Sequence, residues 1–307
     1  MKILLTGAAG FIGSHITREL INAGCEIFAF EHPDAKLWRI EDILNRITLI
    51  QKDLFSSSDP LDAIGAWRPD ACIHLAWYAE PGKYLNSQLN IDALEASLRL
   101  FRGLIEKGCK QVVMAGTCAE YDTDQGYLSE NSVTRPTTIY AATKLSLYLI
   151  GRQLADAAGI NFAWARIFYL YGPYEDKRRM IPALINELLH ENAFQATKGE
   201  QVRDYMHVED IACAFCTLVL KKAVGLYNIC SGMPISVRQM MEMTGDIIGK
   251  KELIKFGALP YREWEPPCIF GDNHRLRKLG WNPQYTLEEG LKQVIEWWRE
   301  KHKVSIK

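Results

Sequence analysis

Tyr140 and Lys144 stand four residues apart in a stretch with helical periodicity, so they share one helix face. A phenol beside an ammonium is a candidate acid and base. The cation favours the phenolate and draws its pKa down from about 10. Such a phenol can give a proton to, or take one from, a carbinol or ketone oxygen. Thr117 ends the apolar run before that helix, and its hydroxyl can hydrogen-bond the same oxygen. A Tyr-x-x-x-Lys spacing by itself arises often by chance. It gains meaning when a redox group can be placed beside it.

The start of the chain offers such a place. Lys2–Thr6 is an apolar strand pattern that runs into Gly7-Ala-Ala-Gly10-Phe11-Ile12-Gly13 and then into an amphipathic stretch. The glycines permit a tight turn, close backbone approach to a pyrophosphate, and close packing of helix on strand. The helix N-terminus adds free N–H groups and a partial positive charge. Glu31 follows the next strand pattern. A carboxylate there accepts both ribose hydroxyls of an adenosine and repels a 2′-phosphate. No Arg follows directly, so NAD(H) is expected rather than NADP(H). Asp53, past the following strand, is a candidate for the adenine amino group and equally for a turn. A bound nicotinamide would supply the hydride and Tyr140 the proton.

The surrounding elements must bring these residues together. Strand patterns fall at Lys2–Thr6, Glu26–Phe30, Ile47–Gln51, Ala71–Ala76, Gln111–Ala115 and Asn161–Phe168. Helical patterns fall between them at Phe11–Ala23, Leu85–Lys107 and Ile139–Ala158. Alternation of this kind predicts right-handed βαβ units and an α/β fold, a Rossmann-type doubly wound parallel sheet. After Gly172-Pro173 the rhythm changes. Helical patterns at Ile181–His190, Val208–Leu220 and Val237–Ile248 alternate with short pieces such as Leu226–Ile229, and Pro260 to Pro267 precede a last helix, Leu287–Lys301. The reading is a dinucleotide domain over residues 1–172, its sheet extended by later segments, and a smaller, mainly substrate-binding region over residues 173–307.

Composition narrows the class. The 307 residues are 48% hydrophobic and 24% charged, with a net charge of −1. Disordered and low-complexity chains are excluded, and bulk electrostatic binding to nucleic acid or anionic membrane is not expected. The longest apolar run, Ile211–Leu220, is ten residues, short of the roughly 20 that span a bilayer. The N-terminal apolar run is read as the first strand rather than a signal peptide, since glycines interrupt it. Eight scattered cysteines fit a reducing cytoplasm, the expected location. Cys213 and Cys216 read as core, His74 and His207 as structural, and the Trp297-Trp298 pair as packing; no metal site is expected.

Taken together, the motifs resemble the extended short-chain dehydrogenase/reductase family: nucleotide-sugar epimerases, dehydratases and 4-ketoreductases. The matching pieces are Thr6–Gly13, His74–Trp77, Asn90, Thr117 with Tyr140-Ala-Ala-Thr-Lys144, Arg166–Pro173, Arg203–Asp210 and Leu279–Pro283. The resemblance implies Thr117, Tyr140 and Lys144 as the catalytic set. It implies a cofactor surface of Gly7, Gly10, Phe11, Ile12, Gly13, Glu31, Asp53, Leu54, Leu75, Ala76, Trp77, Asn90, Tyr140 and Lys144. It gives Arg203 to a substrate diphosphate, which a guanidinium can grip with two donors; an ion pair with Asp204 or Glu200 is the alternative. It also implies a homodimer paired through the two long helices.

The departures refine the expectation. The dehydratases carry an Asp-Glu pair after the active-site Thr; here Cys118 and Ala119 stand there, so water elimination is not expected. Where many relatives carry Asn, this chain has Tyr169, or Phe168 if the register slips. Residues 77–84 follow the strand bearing His74-Leu-Ala and should border the site, making Tyr78, Lys83 and Tyr84 candidate substrate contacts, with a lid packed by aromatics as the alternative; strand alternation turns Glu120 away from the site, a structural role, with a substrate contact as its alternative. Residues 77–84 and 116–121 are similar to the branch that reduces 4-keto-6-deoxyhexoses. The expected activity is an NAD(H)-dependent 4-ketoreductase acting on such a nucleotide-linked sugar. A 4-epimerase with the same triad is the alternative, and a non-catalytic NAD-binding protein a third.

Overall fold

The computed structural model describes residues 1–56, 60–261 and 265–305. The strands are β1 (Lys2–Thr6), β2 (Glu26–Glu31), β3 (Thr48–Gln51), β4 (Ala71–His74), β5 (Gln111–Thr117), β6 (Tyr127–Leu128), β7 (Asn161–Ile167), β8 (Tyr169–Tyr171), β9 (Phe194–Ala196), β10 (Val202–His207), β11 (Gly225–Ile229), β12 (Pro234–Ser236), β13 (Ile254–Phe256) and β14 (Cys268–Gly271). The helices are α1 (Phe11–Asn22), α2 (Leu89–Glu106), α3 (Ile139–Ala158), α4 (Met180–Leu189), α5 (Val208–Leu220), α6 (Val237–Ile248), α7 (His274–Arg277) and α8 (Leu287–Ser305).

Among the described residues one all-parallel sheet runs in the order β11-β7-β5-β4-β1-β2-β3. Side chains on each strand alternate between its two faces. Ile3 and Leu5 therefore join α1 and α5, while Leu4 joins α2 and α3. The same split separates Ala71 and Ile73 from Cys72, and Val113 from Val112 and Met114. Both faces are covered, which is why these strands read as continuous apolar runs. Burying each such Leu or Ile contributes about 1.5–3 kcal/mol.

Strand order reverses around β1 and β4, which opens a crevice beside the loops that follow them. That crevice at the carboxyl ends of the strands is where ligands bind in open parallel sheets. A second layer stands over this edge. β10 pairs with β8, β12 and β14, and β14 pairs with β6, the strand within the excursion after β5. Behind it α4, α6 and α8 enclose a separate apolar cluster of Ile181, Ile185, Met240, Leu291 and Val294.

Most expected boundaries hold, and the differences have local causes. β4 stops at His74 because the Leu75 and Ala76 amides turn to the Thr6 hydroxyl, at 3.2 Å each. α2 begins at Leu89 rather than Leu85, since Tyr84–Asn86 form a separate turn whose carbonyl end is held by Asn90. β5 runs on to Thr117, which pairs with Ile167.

Candidate active site

The glycine turn is shaped as expected. Gly7 has φ +77°, and a Cβ there would lie 3.1 Å from the Ala76 amide nitrogen. A Cβ on Gly13 would lie 1.9 Å from the Gly7 carbonyl oxygen, so no side chain fits. No side chain caps α1, leaving its first amides open toward the turn. Glu31 is 7% exposed, and its Oε1 accepts the Ala9 N–H at 2.7 Å. Burial pushes this carboxyl up to about 7, opposed by the Ala9 and Ala8 amides. The β1 and β4 loops are stapled together. The Thr6 hydroxyl accepts the Leu75 and Ala76 N–H groups, so its own proton goes to His74 Nδ1 at 2.7 Å. His74 Nε2 then donates to Ser97 Oγ at 2.8 Å, and burial holds the ring neutral. His74 is structural, as expected. These residues fit a dinucleotide: an open helix start, glycines where a Cβ would fill the cradle, and a buried carboxylate beside it. Asp53 uses Oδ1 to accept the Phe55 N–H at 2.8 Å, the turn-forming alternative, and Leu54 is buried behind it.

Thr117 and the Tyr140–Lys144 pair meet at the end of β5. Thr138 caps α3 by accepting the Ala141 N–H at 3.1 Å, which fixes Tyr140 in the first turn. Lys144, 4% exposed, donates to the Ala115 carbonyl at 2.8 Å and lies 3.7 Å from the centre of the Trp77 ring. Burial lowers its ammonium to about 7, opposed by Glu120. Burial raises the Tyr140 phenol well above its ordinary value; the neighbouring Tyr84 adds to this and the Thr117 hydroxyl opposes it. The expected lowering by Lys144 is therefore not what the structure shows. The ammonium is turned to the Ala115 carbonyl and the Trp77 ring, and desolvation dominates the phenol.

The segment after β4 divides into near and far residues. Tyr84 sets its ring edge-on to Tyr140 at 4.9 Å. Lys83 is exposed and pairs with Glu80 at 3.0 Å. Asn90 lies beneath this segment. Its side chain has no exposed surface; it accepts from Trp77 Nε1 at 2.8 Å and donates to the Tyr84 and Ser87 carbonyls. It holds the Trp77 indole in place. Glu120, a candidate substrate contact, is fully buried. It pairs with Arg166 at 2.7 Å because the turn after Thr117 folds the carboxylate back beneath the strand end. Cys118 beside it is a neutral thiol, pushed up to about 12 by burial.

Tyr169 and Arg203 are brought together. β8 and β10 place Tyr169 against Tyr205, and the Arg203 guanidinium lies 5.3 Å from the Tyr169 ring centre. Phe168 packs with Cys118 and Tyr121, and Tyr169 lies half-buried against the same cluster. Arg203, 2% exposed, pairs with neither Asp204 nor Glu200 but with Glu265, at 3.0 Å. Asp204 accepts from Ser231 N and Oγ, Gly232 N and Gly271 N, tying β10 to the loops beside it. Sequence reasoning missed Glu265, Trp164, Tyr205 and the role of Arg166. An arginine inside the apolar strand Asn161–Ile167 was a usable signal, since such a charge is buried only with a partner. Glu265 lies in a Pro-rich stretch without periodicity and gave none.

The profile of the NAD dependent epimerase/dehydratase family matches residues 3–230. The chain belongs to that family, whose members are NAD-dependent nucleotide-sugar enzymes of the extended short-chain dehydrogenase/reductase type. A UDP-glucuronate 4-epimerase of Thermodesulfobacterium geofontis is 27% identical over 97% of this chain and 96% of its own. A dTDP-6-deoxy-L-talose 4-dehydrogenase (NAD(+)) of Aggregatibacter actinomycetemcomitans is 24% identical over 88% of this chain and 99% of its own. Among solved structures, a UDP-N-acetylglucosamine 4-epimerase of Methanobrevibacter ruminantium, in complex with UDP-N-acetylmuramic acid, superposes with a TM-score of 0.86 at 25% identity, covering 98% of both chains. Among the described residues no helix is long and apolar enough to cross a membrane.

Proposed function

We propose that this chain is an NAD(H)-dependent 4-ketoreductase of a nucleotide-linked 4-keto-6-deoxyhexose. The observation that carries the reading is the meeting of Thr117, Tyr140 and Lys144 beside the glycine turn, with Cys118 and Ala119 where elimination would need an acid and a base. When bound, NADH supplies the hydride. Tyr140 gives its proton to the ketone oxygen, Thr117 hydrogen-bonds that oxygen, and Lys144 holds the cofactor ribose. A phenol raised by burial is protonated at neutral pH, which suits a proton donor. Trp77 and Ala115 hold Lys144 in place. Tyr84, Tyr169 and Arg203 border the substrate, with Arg203 on the diphosphate. The 4-dehydrogenase relative supports redox chemistry at the 4-position with NAD.

A second reading, a 4-epimerase, is favoured by the 4-epimerases that align along nearly the whole chain. Cofactor behaviour separates the two. Given 4-keto-6-deoxyhexose nucleotides, a reductase consumes NADH stoichiometrically; an epimerase retains NAD on purification and turns over without reductant. Under either reading, Tyr140→Phe lowers kcat by about 10²–10⁴-fold and spares NAD binding. Unchanged turnover would sink the assigned mechanism.

We also infer a homodimer through α2 and α3, since Leu89, Ile91, Leu149 and Ile150 are exposed on these two helices. Light scattering that returns a monomer would contradict it. Eight free thiols support a cytoplasmic location.

A further inference from the structure

Glu120 is among the most committed polar side chains in the molecule, and the chemistry proposed above does not use it. Its carboxylate has no exposed surface. Oε2 accepts Arg166 Nε at 2.7 Å, and both oxygens accept Trp164 Nε1, at 3.0 and 3.1 Å. Oε1 also accepts the main-chain N–H of Thr117 at 2.8 Å. In the same turn Thr117 Oγ1 accepts the Ala119 N–H at 3.2 Å, so the two residues hold each other reciprocally. The strand leaves room for this. A Cβ on Gly116 would lie 2.2 Å from Trp164 Nε1 and 2.7 Å from Glu120 Oε1.

We propose that Glu120 is a positioning residue: through the Thr117 amide it sets where the Thr117 hydroxyl points, with Arg166 and Trp164 as its foundation. An ion pair this deep is a poor source of net stability, since burying both charges costs about as much as their attraction returns. A hydrogen-bond acceptor fixed at one point beneath a reacting group does have a use, because catalytic groups displaced by about 1 Å lose up to about 10²-fold in rate.

The proposal rests on Thr117 serving the reaction described above, and the test separates the two claims. Removing Glu120 alone would strand Arg166, so both members of the pair are changed together. Glu120→Gln with Arg166→Met removes the charges but keeps an acceptor for the Thr117 N–H. Glu120→Met with Arg166→Met removes the acceptor as well. The first pair should keep kcat within about threefold of wild type, and the second should lose about tenfold or more with KM unchanged within about twofold. Adding Thr117→Ala to the second pair should bring no loss beyond Thr117→Ala alone, as for residues acting as one unit. If the second pair does not fold, Trp164→Phe is added to it so that no indole N–H is stranded. Equal rates in the two pairs, or losses that multiply with Thr117→Ala, overturn the proposal. If Thr117→Ala and Tyr140→Phe themselves leave turnover unchanged, the functional reading falls instead. Crystal structures of the two pairs then decide positioning: Thr117 Oγ1 displaced in the Met form and in place in the Gln form supports it, and no displacement overturns it.

Discussion

Glu31→Gln makes a test with an unusual sign. The Glu31 carboxyl is moved from an ordinary 4.5 to about 7, chiefly by burial. Below about pH 4.5 it is protonated whether the chain is folded or not, and it makes no pH-dependent contribution. Between pH 4.5 and 7 the unfolded chain releases the proton while the folded chain keeps it. The folded state therefore loses stability as pH rises, and the loss levels off above about 7. At about 1.36 kcal/mol per pH unit, the full loss is about 3 kcal/mol. Glutamine keeps the acceptor for the Ala9 N–H and cannot ionise. Glu31→Gln should thus melt near wild type at pH 5 and higher at pH 8, by about 5 °C for a chain of this size. Scanning calorimetry without cofactor at the two pH values reads this directly. NAD binding should show the reverse dependence. Ribose hydroxyls favour the ionised carboxylate, so wild-type affinity should rise from pH 5 to pH 8 with release of a proton. In Glu31→Gln, affinity should be weaker and flat. A melting difference equal at both pH values would refute the assignment of burial as the dominant force on Glu31.

Three further outcomes follow from the geometry. Gly13→Ala should abolish NAD binding in a fluorescence titration, because its Cβ would lie 1.9 Å from the Gly7 carbonyl oxygen. Glu265→Gln should release Arg203 from its 3.0 Å ion pair and tighten inhibition by a nucleoside diphosphate about fivefold; weaker inhibition would show that Glu265 assists the ligand. Asp204→Ala strands the donors of Ser231, Gly232 and Gly271, so chemical denaturation should show a loss of about 3–5 kcal/mol.

Much of the fold was legible because it depends on short-range pattern. The bounds of β1, α3, α5 and α6 were read correctly from periodicity and from flanking glycines. The glycine turn was legible because its spacing follows from one steric requirement. The Tyr140–Lys144 face follows from helix pitch, and Thr117 from its place at the end of an apolar run. The errors share a different character. Lys83 and Tyr84 are adjacent, and nothing in their types says which faces the site; the turn after Gly82 decides it. Asn90 matched a family position, but its amide is spent on Trp77, Tyr84 and Ser87. Glu120 is a candidate substrate contact by its nearness to Thr117 in sequence, yet β5 ends at Thr117 and a capped turn folds its carboxylate beneath the strand end.

Local pattern was enough for the parallel sheet, the open helix start at the glycine turn, and the residues that share the face of α3. These depend on spacings of a few residues, which the geometry of one helix or one strand makes binding. The partners of the charges come from packing across the fold. Glu120 meets Arg166 across 46 residues, and Arg203 meets Glu265 across 62. That packing also decided that Lys144 lies against the Trp77 ring and the Ala115 carbonyl, and hence that burial rather than a neighbouring cation governs Tyr140. Such pairings depend on strand register and on how deeply the crossing chains enclose each group. No local pattern encodes the desolvation that follows.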